Sequence, residues 1–224
     1  MKVLYLGGFL QNAERLRKRL QPLEAAMARL GYELDYVSPP LTIALKEGVF
    51  TSLGRTDKEK EAKWQLITAR GLNRCWWYYV PGAKTQGAGL EESMAYIVDY
   101  IKKNGPYVGI MGFSQGSSVA AMLTCYLPRA LPDFTPFRFA VCILGFKLGP
   151  EFAHYFEGSQ TVTTKVVVVY GTMDFVVPAA GTQGLCKLFP GATEVSWRGG
   201  HDVPQATDII DQVVSRVGSA DTKL

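Results

Sequence analysis

Histidine is scarce in this chain: of 224 residues only two, His154 and His201, carry an imidazole. A histidine-cluster metal site is thereby set aside, and imidazole chemistry near neutral pH has two addresses. Cysteine is equally sparse. Cys75, Cys125, Cys142 and Cys186 are scattered, with no C-x-x-C spacing. They fit reduced, packed thiols in a cytoplasmic protein better than disulfides or zinc ligands. No apolar run approaches the roughly 20 residues that a membrane span requires. Val3 to Leu10 is apolar, but it is short and opens into a charged helical pattern, unlike a secretory signal. The net charge of +4 is spread along the chain, and its densest run, Arg55 to Lys63, mixes both signs. Such a run is a solvated face, so nucleic acid is not an expected partner. Repeats, low-complexity tracts and linkers are also missing, which leaves one domain over residues 1–224.

What is present is an alternation of short β-branched runs with longer helical patterns. A chain that is 47% hydrophobic and 20% charged has ample material for a core. Strands are predicted at Val3–Leu6, Glu33–Val37, Val108–Phe113, Phe139–Leu144, Lys165–Tyr170 and Thr193–Trp197. Helices are predicted from Asn12 to about Leu30, Gly89 to Lys103, Gln115 to Tyr126 and Gln205 to Val217. Pro22 falls inside the first, where it would kink or interrupt the helix. This order implies an α/β protein with a mostly parallel central sheet and helices on both faces. The stretch from about residue 41 to 89 is irregular and is expected to form a lid or pocket wall.

Gly112-Phe113-Ser114-Gln115-Gly116 is a G-x-S-x-G sequence. Alone it says little, since chance supplies roughly 0.1 such matches in a chain of this composition, and a Gly-rich turn with a capping serine fits too. Its context says more. A strand precedes it and a helix follows, the setting of a nucleophile elbow in an α/β-hydrolase fold. Ser114 needs a base, because its hydroxyl is protonated at neutral pH. His201 lies between the last strand and the last helix, where this fold places its base. His154 sits in an aromatic segment and fits packing or solvent contact. The acid of such a fold falls between serine and histidine in chain order. Asp174 does so, directly after the most apolar strand, although an Asx-turn aspartate shaping the loop fits as well. Asp202 adjoins His201 in sequence, which points the two side chains apart, and Asp133 lies on a Pro-rich loop. An oxyanion would be held by the backbone N–H of Gln115 and by that of Phe9 or Leu10, in the Gly7-Gly8 loop after the first strand.

These residues bring a resemblance into view. Arg74-Cys75-Trp76-Trp77, Gly89-Leu90-Glu91-Glu92-Ser93, the run Gly105 to Gly116, Phe139 to Phe146, Gly171-Thr172-Met173-Asp174 and Gly199-Gly200-His201-Asp202-Val203-Pro204 together resemble the eukaryotic serine hydrolase family abbreviated FSH. That family includes ovarian-tumour-associated hydrolases and hydrolases of fungal polyketide clusters. The resemblance covers nearly the whole chain. It implies esterase or thioesterase activity, with Ser114, Asp174 and His201 at the family's triad positions. It also implies, by way of the fungal members, a polyketide acyl chain on an acyl-carrier protein as one substrate. The G-F-S-Q-G elbow is similar to that of acyl-protein thioesterases and carboxylesterases. One departure stands out: such hydrolases carry His-Gly after the first strand, and this chain has Gly7-Gly8.

The expected activity is therefore two-step acyl transfer from a small ester or thioester, with no cofactor and no metal. Trp64 and Phe50 are the lid residues expected to touch substrate. Trp76 to Tyr79 fit either a pocket wall or the core of a neighbouring strand. Two other classes of function share the sequence: a binding protein that keeps the fold without the chemistry, and a lyase or cyclase using the same pocket for proton transfer. Turnover of short esters and thioesters separates the first from a hydrolase. Retention of activity by a Ser114→Ala variant marks the second.

Overall fold

Alternation along the strands decides which side chain faces which layer. In the computed structural model, which describes residues 1–45, 53–79 and 86–218, strand β1 (Lys2–Leu6) sends Val3 and Tyr5 to one face and Leu4 and Leu6 to the other. All four are fully buried. A strand covered on both sides must be apolar on both, which is why it reads as a continuous hydrophobic run. The same logic applies to β5 (Gly109–Phe113), β6 (Phe139–Ile143) and β7 (Lys165–Gly171), whereas the edge strands β2 (Glu33–Val37) and β8 (Thr193–Trp197) also carry half-buried and exposed residues. Between β2 and β5, the short strands β3 (Leu41–Thr42) and β4 (Arg74–Cys75) pair with each other in an antiparallel ribbon. In β7, Val166 and Val168 pack on one face while Val167 and Val169 pack on the other. Burying each of these valines contributes about 1.5–3 kcal/mol.

The six long strands form one parallel sheet in the order β2-β1-β5-β6-β7-β8. The chain runs outward from β1 to β2, then returns to the other side of β1 to begin β5. That reversal leaves a crevice at the carboxyl ends of β1 and β5, where open α/β sheets bind their ligands. Helices α1 (Ala13–Arg19), α2 (Gln21–Arg29) and α7 (Thr207–Gly218) cover one face through Leu16, Leu20, Met27, Ile210 and Val213. Helices α4 (Leu90–Asn104), α5 (Gln115–Ala130) and α6 (Ala179–Cys186) cover the other. The central helix α5 is buried along almost its whole length, so it carries no polar face.

The helices sharpen the expectations in three places. The pattern from Asn12 to Leu30 is two helices, because Pro22 lacks an N–H and is accommodated only in the first turn of α2. The charged run is a solvated face as expected, and it forms the first half of helix α3 (Asp57–Ala69), opened by a capping box in which Thr56 and Glu59 exchange side-chain and backbone hydrogen bonds. Helix α6 was not anticipated, since Gly181 and Gly184 lie within it. The irregular stretch is thus ordered where described: α3, β3 and β4 enclose a small apolar cluster of Leu41, Ile43, Trp64 and Cys75.

Candidate active site

Ser114 sits between β5 and α5 with φ +53° and ψ −121°, a backbone conformation that costs a non-glycine residue of order 1–3 kcal/mol. Close packing enforces it. A Cβ on Gly112 would lie 2.3 Å from the Gly116 carbonyl oxygen, and a Cβ on Gly116 would lie 2.3 Å from the carbonyl oxygens of Leu6 and Gly7. Only glycine at both positions lets α5 leave the sheet this sharply. The Ser114 N–H donates to the Ile143 carbonyl at 2.9 Å, which fixes the turn to β6.

Two loops at the same sheet edge bring the other partners. Asp174 follows β7 and is buried, and His201 follows β8. The His201 Nδ1–H donates to Asp174 Oδ2 at 2.7 Å, and Nε2 faces the Ser114 hydroxyl at 3.0 Å. With Nδ1 carrying the proton toward a carboxylate, Nε2 is left as an acceptor for the hydroxyl. The second carboxylate oxygen of Asp174 accepts the N–H groups of Val176 at 2.8 Å and Val177 at 2.9 Å. The Asx-turn and the hold on His201 are thus one arrangement rather than alternatives. The two loops are also stitched together. Thr172 N–H donates to the Trp197 carbonyl at 2.9 Å and Met173 N–H to the Gly199 carbonyl at 3.0 Å. A Cβ on Gly171 would meet the Gly199 carbonyl at 2.3 Å, so glycine is required for that approach. The Phe113 ring packs against the imidazole, centroids 5.1 Å apart.

The other carboxylates and the other imidazole weighed for the site take other partners or places. Asp202 turns from His201 to an ion pair with Arg19 of α1. His154 packs on Tyr155 in a 3-10 helix (Pro150–Phe156), its Nε2 3.8 Å from Glu91. Asp133 borders a separate hollow with Pro106 and Tyr107, at the start of β5. Among the described residues no group of three or more His, Cys, Asp or Glu is placed to hold a metal ion. No described helix is long and apolar enough to cross a membrane. The four cysteines are buried and unbridged, and burial pushes the Cys125 and Cys142 thiols up to about 12 and Cys186 to about 11.

The donors for an oxyanion divide unevenly. Gln115 opens α5, so its N–H has no carbonyl within the helix and points out of the positive end. Its side chain is fully engaged: Oε1 accepts from Trp76 N–H at 2.9 Å, and Nε2 donates to the Trp77 carbonyl at 3.1 Å. Leu10 is corrected: its N–H donates to the Arg74 carbonyl at 2.9 Å, because β4 runs beside the loop. The loop lacking the usual histidine is held by other contacts. The Trp76 indole N–H donates to the Gly7 carbonyl at 2.7 Å, and Gly8 N–H donates to Gln11 Oε1 at 2.8 Å. Trp76 and Trp77 are therefore core residues that brace the site from beneath. Gly8 approaches so closely that a Cβ there would lie 3.1 Å from the Ser114 Cβ.

Ser114 and His201 open into a cavity of about 470 Å³. Its apolar walls are Phe9, Leu10, Ile67, Leu72, Phe113 and Val176. Trp64 is not among them. It faces inward on α3 and packs behind the loop with Leu41 and Ile43, while Ile67, one turn later, reaches the cavity. Phe50 lies outside the described residues. The wall residues Ile67, Leu72 and Val176 were missed in the sequence; only the helical spacing from Trp64 to Ile67 could have pointed to the first.

The chain is similar to known proteins in sequence and in fold. The sequence model of the family described as serine hydrolase (FSH1) matches residues 1–213. The chain is 30% identical over 218 residues to the zebrafish (Danio rerio) protein named Esterase OVCA2, covering 92% of each. It is 25% identical over 230 residues to Family of serine hydrolases 3 of Saccharomyces cerevisiae, covering 99% of this chain and 85% of that one. Among solved structures it resembles Zea mays acyl-protein thioesterase 2, with TM-score 0.61 and 15% identity over 98% of this chain and 93% of that one. It likewise resembles Arabidopsis thaliana SOBER1, with TM-score 0.65 and 13% identity over 98% of each. At those identities the structural likeness speaks for the α/β-hydrolase fold alone.

Proposed function

This chain belongs to the FSH1 family of serine hydrolases, and from that premise we propose that it cleaves carboxylic esters or acyl thioesters through an acyl-enzyme on Ser114. The single observation that carries the reading is the imidazole of His201 bridging Asp174, at 2.7 Å, and the Ser114 hydroxyl, at 3.0 Å.

In the proposed cycle, Ser114 Oγ attacks the substrate carbonyl carbon as His201 Nε2 takes the hydroxyl proton. Asp174 keeps the ring in the tautomer that can accept this proton and stabilises the imidazolium that results. The carbonyl oxygen, now negative, receives the N–H of Gln115. With Leu10 committed to Arg74, Phe9 is assigned the second donor. His201 then returns the proton to the departing alkoxide or thiolate, leaving the acyl group on Ser114. Water attacks that ester, giving up a proton to the same nitrogen, and the acid leaves as the hydroxyl is restored.

The reading extends to a thioester-borne acyl chain on a carrier protein, supported by the resemblance to fungal polyketide-cluster hydrolases. A cytoplasmic setting is supported by four buried thiols without a disulfide. The test is direct. A Ser114→Ala variant is expected to lose about 10⁵–10⁶ in kcat, by analogy with other serine hydrolases stripped of their nucleophile, together with all labelling by a neutral fluorophosphonate. Undiminished labelling would remove Ser114 from the mechanism.

A further inference from the structure

The cavity beside Ser114 does not end at its apolar walls. A wider hollow of about 910 Å³ adjoins it, and the two share Arg15, Arg19 and Leu72. One wall is α1, with Glu14, Arg15, Lys18 and Arg19; the other is the end of α3, with Ala69 and Arg70. Asn12 ties the walls together. Its Nδ2 donates to the carbonyls of Arg70 at 2.9 Å and Gly71 at 3.3 Å, while its Oδ1 caps α1 by accepting the Arg15 N–H at 2.9 Å. The separation of the walls is therefore set by one short side chain, that of Asn12, held to backbone groups of both.

Four cations face this hollow, and two of them are answered. Lys18 pairs with Glu14 at 2.7 Å, and Arg19 pairs with Asp202. The guanidinium groups of Arg15 and Arg70 meet no carboxylate among the described residues. Here two arginines that meet no carboxylate among the described residues line opposite walls of a groove, and one of them, Arg15, also lines the cavity of the nucleophile.

We propose that the ester or thioester substrate carries an anionic group, phosphate or carboxylate, and that Arg15 and Arg70 receive it while the scissile carbonyl rests at Ser114. This deepens the hydrolase reading and rests on it. The planar guanidinium offers paired donors that match two oxygens of such an anion. The apolar walls between anion and carbonyl would take a hydrocarbon chain. The anion belongs either to the far end of the acyl chain or to the leaving group, and the two sources share one recognition chemistry.

The test uses the full chain and two matched substrate pairs. The first is p-nitrophenyl hexanoate against the mono-p-nitrophenyl ester of adipic acid, which differs by a terminal carboxylate. The second is hexanoyl N-acetylcysteamine against hexanoyl coenzyme A, which differs by a phosphorylated thiol. In at least one pair, kcat/KM for the anionic member is expected to exceed that of its neutral partner by about tenfold or more at low salt. The preference should shrink at 0.5 M NaCl, because both arginines are exposed. In Arg15→Gln/Arg70→Gln the ratio should fall toward one, and in Arg15→Glu it should invert, with thermal melts reporting that each variant is folded. A preference in the first pair places the anion on the acyl chain, and a preference in the second places it on the leaving group. Ratios near one in both pairs, with the neutral substrates still turned over, would overturn this inference and leave the hydrolase reading standing. Failure of every substrate, together with no fluorophosphonate labelling, would overturn both.

Discussion

Between β5 and α5 a single methyl group has nowhere to go; between α1 and α3 whole side chains reach into open space. At the first junction, carbonyl oxygens stand 2.3 Å from where a Cβ of Gly112 or Gly116 would be, and Ser114 is forced into its strained turn. At the second, exposed Arg15 and Arg70 border a groove whose width is set by the hydrogen bonds of Asn12. The proposed chemistry thus sits where backbone meets backbone, and the proposed selectivity where charged side chains meet water. Substitutions at the first place should damage rate and stability. Those at the second should leave the fold alone and redirect preference.

The contrast is sharpened most by Asp174, buried and fully hydrogen-bonded. Asp174→Asn keeps the shape but presents an amide N–H or a neutral oxygen to the imidazole, favouring the wrong tautomer. A loss of about 10⁴ in kcat is expected, read from steady-state turnover of a short ester. A loss below tenfold would separate this carboxylate from the chemistry. Next comes Gly116→Ala, one methyl group set against two backbone carbonyl oxygens 2.3 Å away. It should destabilise by about 3 kcal/mol, lowering Tm by roughly 6–12 °C for a chain of this size. A melt unchanged from the parent would show that the elbow yields more easily than its spacing implies.

On the exposed side the expected changes are small. The Arg19–Asp202 pair is solvated, with side chains 42% and 48% exposed. Arg19→Gln should shift stability by less than about 1 kcal/mol, and the difference should vanish in melts at 0.5 M NaCl. A larger, salt-insensitive loss would mean that α1 and the base-bearing loop are coupled as tightly as β5 and α5. Smallest of all is the effect of alkylation. With Cys125 and Cys142 pushed up to about 12 by burial, only about one thiol in 10⁴ is ionised at pH 8. Iodoacetamide at that pH should leave turnover unchanged over an hour, and rapid inactivation would contradict the buried packing of that face.

The sheet was legible because its physics is periodic. Val166 to Val169 cannot be anything but a strand covered on both faces, and the central strands β1, β5 and β6 announced themselves in the same way. The positions of Ser114, Asp174 and His201 at strand ends were legible from order, since a parallel sheet delivers all its carboxyl ends to one edge. Less was legible where a helix has little to bury. Trp64 is the one fully inward residue of α3, so no apolar stripe marked it, although Thr56 and Glu59 held the capping signal. Asn12 to Leu30 kept one helical period, and only Pro22 marked the break between α1 and α2. The groove arginines carried no sequence signal at all. An exposed guanidinium looks the same in a chain whether its neighbour in space is water, a carboxylate or an empty channel.

The stitching of the Asp174 loop to the His201 loop has a consequence for motion. Those staples join acid to base but leave the serine turn out, so the pair is a cartridge with one detachable face. Were the rim to loosen for a departing product, carboxylate and imidazole would swing away in step. The ring would come back with its proton still parked on the same nitrogen, ready for the next substrate without having to be re-aimed.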